Sequence, residues 1–126
     1  MAQGKYRKQL SKKARKGRKG YPVATIAFYG PTNILATKLV CSIFLYEGAE
    51  AEPMKKWISS SDVRKAENIL NETLTFLEEN AAKTVSMLEK IIGCPHEEGI
   101  DYPEGKSCPN CSYWKNRDRF THELLH

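Results

Sequence analysis

Three of the four cysteines in this 126-residue chain fall within CPHEEGIDYPEGKSCPNC, residues 94–111, and a histidine stands two places after the first of them. Cys94, His96, Cys108 and Cys111 are thus spaced C-x-H-x11-C-x2-C. Two thiols two residues apart approach one ion from a tight turn, and a second pair one chain excursion away completes a tetrahedron. Thiolates and a neutral imidazole are soft to borderline ligands that suit Zn2+, whereas the common iron–sulfur centres want four cysteines. Pro95 and Pro109 each follow a ligand cysteine, and Gly99, Pro103 and Gly105 punctuate the loop between them. Such a loop has little to bury and needs an anchor; apparent zinc-binding energies of about 10 kcal/mol or more would hold it. The competing use of these thiols is a disulfide between Cys108 and Cys111, which suits a reducing compartment poorly. Cys41 sits in an apolar run and reads as an inert core thiol. His122 and His126 stand near the carboxy terminus, and His122 is the substitute ligand if His96 faces elsewhere.

Catalysis and stapling make different demands on such a site. Zinc deaminases pair an H-x-E segment, whose glutamate shuttles protons, with a later P-C-x-x-C. His96 and Glu98 fit H-x-E, but only nine residues separate Glu98 from Cys108, too few for an intervening strand and helix, and proline follows Cys108 instead of preceding it. Cys94 also supplies a fourth donor. A shell filled by protein leaves no position for a reactive water, so the expectation is a structural site, no catalytic residue and no enzyme. Glu97, Glu98 and Asp101 are then loop acids, one of which accepts a hydrogen bond from the other ring nitrogen of His96.

The second chemical feature is charge. Of the 20 Lys and Arg residues, nine fall in the first 20 positions (Lys5, Arg7, Lys8, Lys12, Lys13, Arg15, Lys16, Arg18 and Lys19) with no acid among them. The other 11 face 15 acids, so the rest of the chain is net acidic despite an overall charge of +5. Three glycines and one leucine in residues 1–20 leave little apolar area to offset the entropy of ordering, which predicts a disordered basic arm. A flexible polycation neutralises phosphates and releases counterions, the signature of nucleic-acid binding. After the last cysteine, Tyr113, Trp114 and Phe120 alternate with Lys115, Arg117 and Arg119. Aromatics beside cations can contact unpaired bases and backbone, although Trp114 reads first as a cover for the zinc site. No apolar run approaches the roughly 20 residues that span a bilayer, and no apolar stretch of a secretory signal follows the basic start, so a cytoplasmic protein without a membrane partner is expected.

The elements that must position these groups read as follows. YPVATIAFYGP gives a β-branched and aromatic run closed by Gly30 and Pro31, and TKLVCSIFLYEG gives a second strand, apolar on both faces; the two suit an antiparallel hairpin. Residues 47–53 are a polar connection, after which Trp57 and Ile58 return to the core. Ala66, Ile69, Leu70, Thr73, Leu74 and Leu77 fall at helical spacing, with Ser61 or Asp62 as N-cap and Asn80 as terminator. KTVSMLEKIIG fits either period and is read as a third strand, which gives the hairpin and helix a viable sheet. The predicted architecture is α+β: a small antiparallel sheet in the order β-β-α-β over residues 21–92, a disordered arm over 1–20, and a zinc-stapled loop over 93–126 packed on the core.

YPVATIAFYGP, IIGCPHEEGIDYPEG and CPNC together resemble a group of short bacterial proteins to which no activity attaches, across most of residues 21–120. The metal-ligand spacing alone is similar to the zinc-ribbon and zinc-knuckle class. These features lead to an expectation of a non-enzymatic, nucleic-acid-associated protein, RNA favoured over DNA, acting as an RNA-binding or accessory subunit of a nucleoprotein assembly. A protein–protein adaptor and a zinc-dependent nucleic-acid enzyme are the second and third alternatives.

Overall fold

The computed structural model describes residues 5–17, 19–97, 99–105, 108, 109, 111–115, 117 and 121–123. Six elements order as α1 (Lys5–Arg15), β1 (Val23–Tyr29), β2 (Lys38–Phe44), β3 (Met54–Ile58), α2 (Glu67–Glu79) and β4 (Thr84–Ile91). The strands form one mixed sheet in the order β3-β2-β1-β4. The class is α+β, as the patterning predicts.

Alternation in β1 explains the layering. Ala24, Ile26 and Phe28 are buried on one face, where they meet Leu39, Cys41 and Ile43 of β2, all three fully buried. Ile69, Leu70, Leu74 and Leu77 of α2 join the same apolar core. The β1–β2 pair is the expected antiparallel hairpin, with Val23 opposite Phe44 and Tyr29 opposite Lys38. Asp62 caps a short 3-10 turn at Val63–Lys65, accepting the backbone N–H of Arg64 at 2.9 Å and gripping its guanidinium at 2.7 Å. Asn80 ends α2 by donating from Nδ2 to Phe76 O at 2.8 Å.

Three sequence expectations are corrected. The sheet is not wholly antiparallel: α2 carries the chain across one face, so β4 returns beside β1 in parallel, with Val23 opposite Thr84 and Ala24 opposite Val85. A crossover through a helix produces that direction. Second, MKKWI forms a fourth strand paired antiparallel to β2. Its alternation puts Lys55 and Trp57 on the core face, and cationic side chains on a short edge strand guard it against further pairing.

The third correction concerns the basic arm. Residues 5–15 are not disordered but a helix, and Leu10 within it is fully buried. Tyr6, Leu10 and Ala14 recur every four residues, giving a narrow apolar stripe that packs against the core beside α2 and β4. Thr84 fastens the exit from the helix, accepting the Lys19 N–H at 2.8 Å and donating its hydroxyl to Gly20 O at 2.7 Å. Leu10→Ala is expected to lower stability by about 2–3 kcal/mol, read as a shifted urea midpoint, and to speed tryptic cleavage within α1. Unchanged cleavage would mean the stripe does not hold the helix. Among the described residues no helix is long and apolar enough to cross a membrane.

Candidate metal centre

Beyond β4 the chain is drawn back across the end of the sheet. Gly30, just after β1, donates its N–H to Gly93 O at 2.8 Å and accepts the Trp114 indole N–H at 2.7 Å. Tyr102 is buried at the far side of the loop, where its carbonyl accepts the Gly99 N–H at 2.8 Å. The Asp101 carboxylate accepts the Glu97 N–H at 2.6 Å, closing a turn that aims His96 inward.

This folding brings all four sequence-selected donors together. The ligand atoms of Cys94, His96, Cys108 and Cys111 lie within 4.8 Å of one another. His96 Nδ1 is 3.7 Å from Cys94 Sγ, 3.3 Å from Cys108 Sγ and 3.4 Å from Cys111 Sγ. A tetrahedral zinc with bonds of about 2.3 Å to sulfur and about 2.0–2.1 Å to nitrogen separates S and N by about 3.6 Å. The three S–N separations therefore already match such a shell. The His96 backbone N–H also points at Cys94 Sγ, 3.3 Å away, a contact that favours a thiolate there.

The electrostatics call for a cation. Burial, then the neighbouring Cys94 and Cys108 sulfurs, push the Cys111 thiol up to about 12, and burial likewise raises Cys94. Sulfurs this close cannot all ionise unless a positive charge sits among them, and a divalent ion supplies it. All four cysteines are free, so Cys108 and Cys111 do not form the alternative disulfide. Cys41 lies in the core away from the cluster, its thiol pushed up to about 12 by burial. The cluster could hold a metal ion.

The other expected residues sort differently. His122 is not a substitute ligand: its Nε2 donates to Ile91 O at 2.7 Å and its ring meets Trp114 edge-on at 5.3 Å. Trp114 is buried packing, as expected. Glu97 turns toward the sheet and bridges Lys56 Nζ at 2.8 Å and Lys38 Nζ at 3.4 Å. The Lys56 hydrogen bond, with the Lys38 charge behind it, holds Glu97 below the usual carboxylate range. Arg117 donates to Tyr113 O and His122 O while its guanidinium covers the Tyr113 ring at 4.2 Å, so it ties the terminal segment together. Lys5, Lys8, Lys12, Arg15, Lys16, Lys19 and Lys115 are exposed, whereas Arg7 and Lys13 are half-buried. Arg18, Glu98, Arg119, Phe120 and His126 lie outside the described residues.

Sequence reasoning passed over Lys38, which is 5% exposed and donates to Pro95 O at 3.0 Å. Its available signal was a lone cation heading the apolar run KLVCSIF. With Glu97 it clamps the ligand loop to β2.

No family model matches the chain, and no curated protein or solved structure matches it. The wider likeness to short bacterial proteins therefore has no support from these comparisons, and the local Cys and His cluster stands by its geometry.

Proposed function

We propose that the chain is a non-enzymatic nucleic-acid-binding protein whose carboxy-terminal segment is held by a structural Zn2+. Four protein donors, with His96 Nδ1 at 3.3–3.7 Å from the three sulfurs, support zinc as a staple, since a full shell leaves no position for a reacting water. The observation that carries the binding role is α1: a helix with no acid, docked on a rigid body by Leu10, so that Lys5, Lys8, Lys12 and Arg15 are presented to solvent in a fixed array. Lys8 and Lys12 stand four apart on the helix, and that like-charged pair costs it about 0.2–0.5 kcal/mol. Bound phosphates relieve that repulsion and release counterions. A cytoplasmic RNA-containing assembly of a bacterial cell is the setting this reading favours, with RNA preferred to DNA.

Lys8→Gln/Lys12→Gln leaves Leu10 in place and removes two phosphate contacts. The slope of log affinity against log salt should fall by about 2 units, measured by fluorescence anisotropy with a labelled duplex and a labelled single strand. A slope equal to that of the parent protein would reject α1 as the binding element.

A further inference from the structure

Among the described residues, α1 and α2 lie on one face of the sheet. On the other, register sets Thr25, Ala27 and Tyr29 of β1 beside Lys38, Val40 and Ser42 of β2. A hollow of about 370 Å³ opens there, walled at one end by the ligand loop from Cys94 to Glu97. Its floor is apolar, made by Ala27, Val40 and Met54, and Met54 is 46% exposed. Lys56, its side chain 39% exposed, stands at the rim with Lys38 buried beneath it, and β1, β2 and β3 contain no acid at all. Glu97 from the ligand loop is shared by both ammonium groups, so the trio stays net positive.

Thr25, which lines it, pairs with Ser86 of β4, and Ser86 lines a separate second hollow at the sheet edge with Val23, Thr84, Val85, Gly17 and, from α1, Ala14. That second hollow reaches the segment carrying Lys16 and Lys19, which Thr84 fastens to the sheet, and from there the chain leads back to α1. Beside the candidate metal centre the helix-free face thus joins the Lys56 ammonium to an apolar, hydroxyl-bearing floor.

We infer that this face seats unpaired nucleotides of a single-stranded nucleic acid. A base has a flat apolar surface for the Ala27–Val40–Met54 floor and polar edges for the hydroxyls of Thr25 and Tyr29. Its phosphates find the Lys56 ammonium at the rim. A duplex keeps its bases stacked inside and offers this trough only its backbone, whereas splayed bases can enter it. The inference rests on the nucleic-acid reading above and adds which form is bound and by which face.

The test compares a labelled oligo(U) and oligo(dT) of about 10 nucleotides with a labelled DNA duplex, using the zinc-loaded full chain. Met54→Glu/Lys56→Glu places two acids on the helix-free face. It should weaken both single strands at least about tenfold and leave duplex binding within about twofold, with circular dichroism and zinc content as in the parent. Lys8→Gln/Lys12→Gln should weaken all three ligands. If the face variant binds the single strands as the parent does while the helix variant is weakened, the trough is overturned and the α1 reading stands. If the face variant weakens duplex and single strand alike, the face does not select unpaired bases and the inference also fails. If the parent binds none of the three probes, the nucleic-acid reading fails and the trough with it. Should the double variant misfold, photocrosslinking of 4-thiouridine-containing oligo(U) to the parent decides: crosslinks in β1–β3 support the trough, and crosslinks confined to α1 overturn it.

Discussion

Keeping the candidate centre free of metal should undo the carboxy-terminal quarter of the chain, residues 93–126. Purified protein is expected to carry one zinc per chain, and Cys111→Ser to lose most of it, with the melting temperature falling by about 10 °C or more. Cys94 and Cys111 are buried, and with no ion among them their sulfurs are protonated and crowded against one another, because burial and mutual repulsion place the Cys111 thiol at about 12. An ion in the cluster would supply an attraction that the loop between the ligands, with Tyr102 as its buried anchor, cannot replace. A single domain holds only about 5–15 kcal/mol in total, so losing several of these is a large fraction. Acid should act in the same direction: each ligand must shed its proton to bind, so zinc is released as pH falls. Cys41→Ser serves as the control, since that thiol lies outside the cluster and its replacement should leave zinc content unchanged. Metal analysis and calorimetry of the two variants check the expectation; a Cys111→Ser protein with parental zinc and parental melting would refute it.

Gly30→Ala should be nearly as damaging, although it removes no contact. A Cβ at residue 30 would overlap the Leu35 carbonyl oxygen and stand 2.8 Å from the Leu35 carbonyl carbon and 3.2 Å from Ala36 Cα. These are backbone atoms at the entrance to β2, so relief requires moving the chain that bears Ala36, itself fully buried and hydrogen-bonded to Val63 through its carbonyl. The expected cost is about 3 kcal/mol or more. Because Gly30 also holds Gly93 and the Trp114 indole, the displacement reaches the metal ligands on either side of them. Zinc affinity should therefore drop in Gly30→Ala even though no ligand has changed, which competition with a chromogenic chelator would show. Parental affinity together with parental stability would mean that the β1–β2 loop relaxes freely.

How much of this was legible beforehand follows from what each element depends on. The candidate metal ligands could be chosen from spacing alone, because coordination chemistry limits both residue type and separation; the fold brings together all four as a cluster that could hold an ion, and no other such cluster among the described residues. The first hairpin and α2 were legible because their apolar periods are local. β4 was placed as a strand, but its direction was not readable, since KTVSMLEKIIG carries no mark of which neighbour it will join. β3 escaped notice because its five residues have one buried side chain, Trp57, and an otherwise exposed pattern. The amino-terminal helix escaped for a different reason. Composition dominated the reading of residues 1–20, and a stripe of one tyrosine, one leucine and one alanine was too thin to outweigh nine cations until the surface that receives Leu10 was known. Arg117 shows the same limit in reverse: a cation among aromatics looked like a contact for bases and is occupied by its own backbone neighbours.

The parallel pairing of β1 with β4 also sets an order in time. β1, β2 and β3 follow one another closely and can zip together while little of the chain exists, but β4 must wait until α2 has been made and laid across them. Gly93 and Ile91, which anchor the ligand-bearing segment, follow or end that last strand. On a ribosome the ligand cysteines would thus emerge after the strands that seat them, and any ion captured there would close the sequence of events rather than start it.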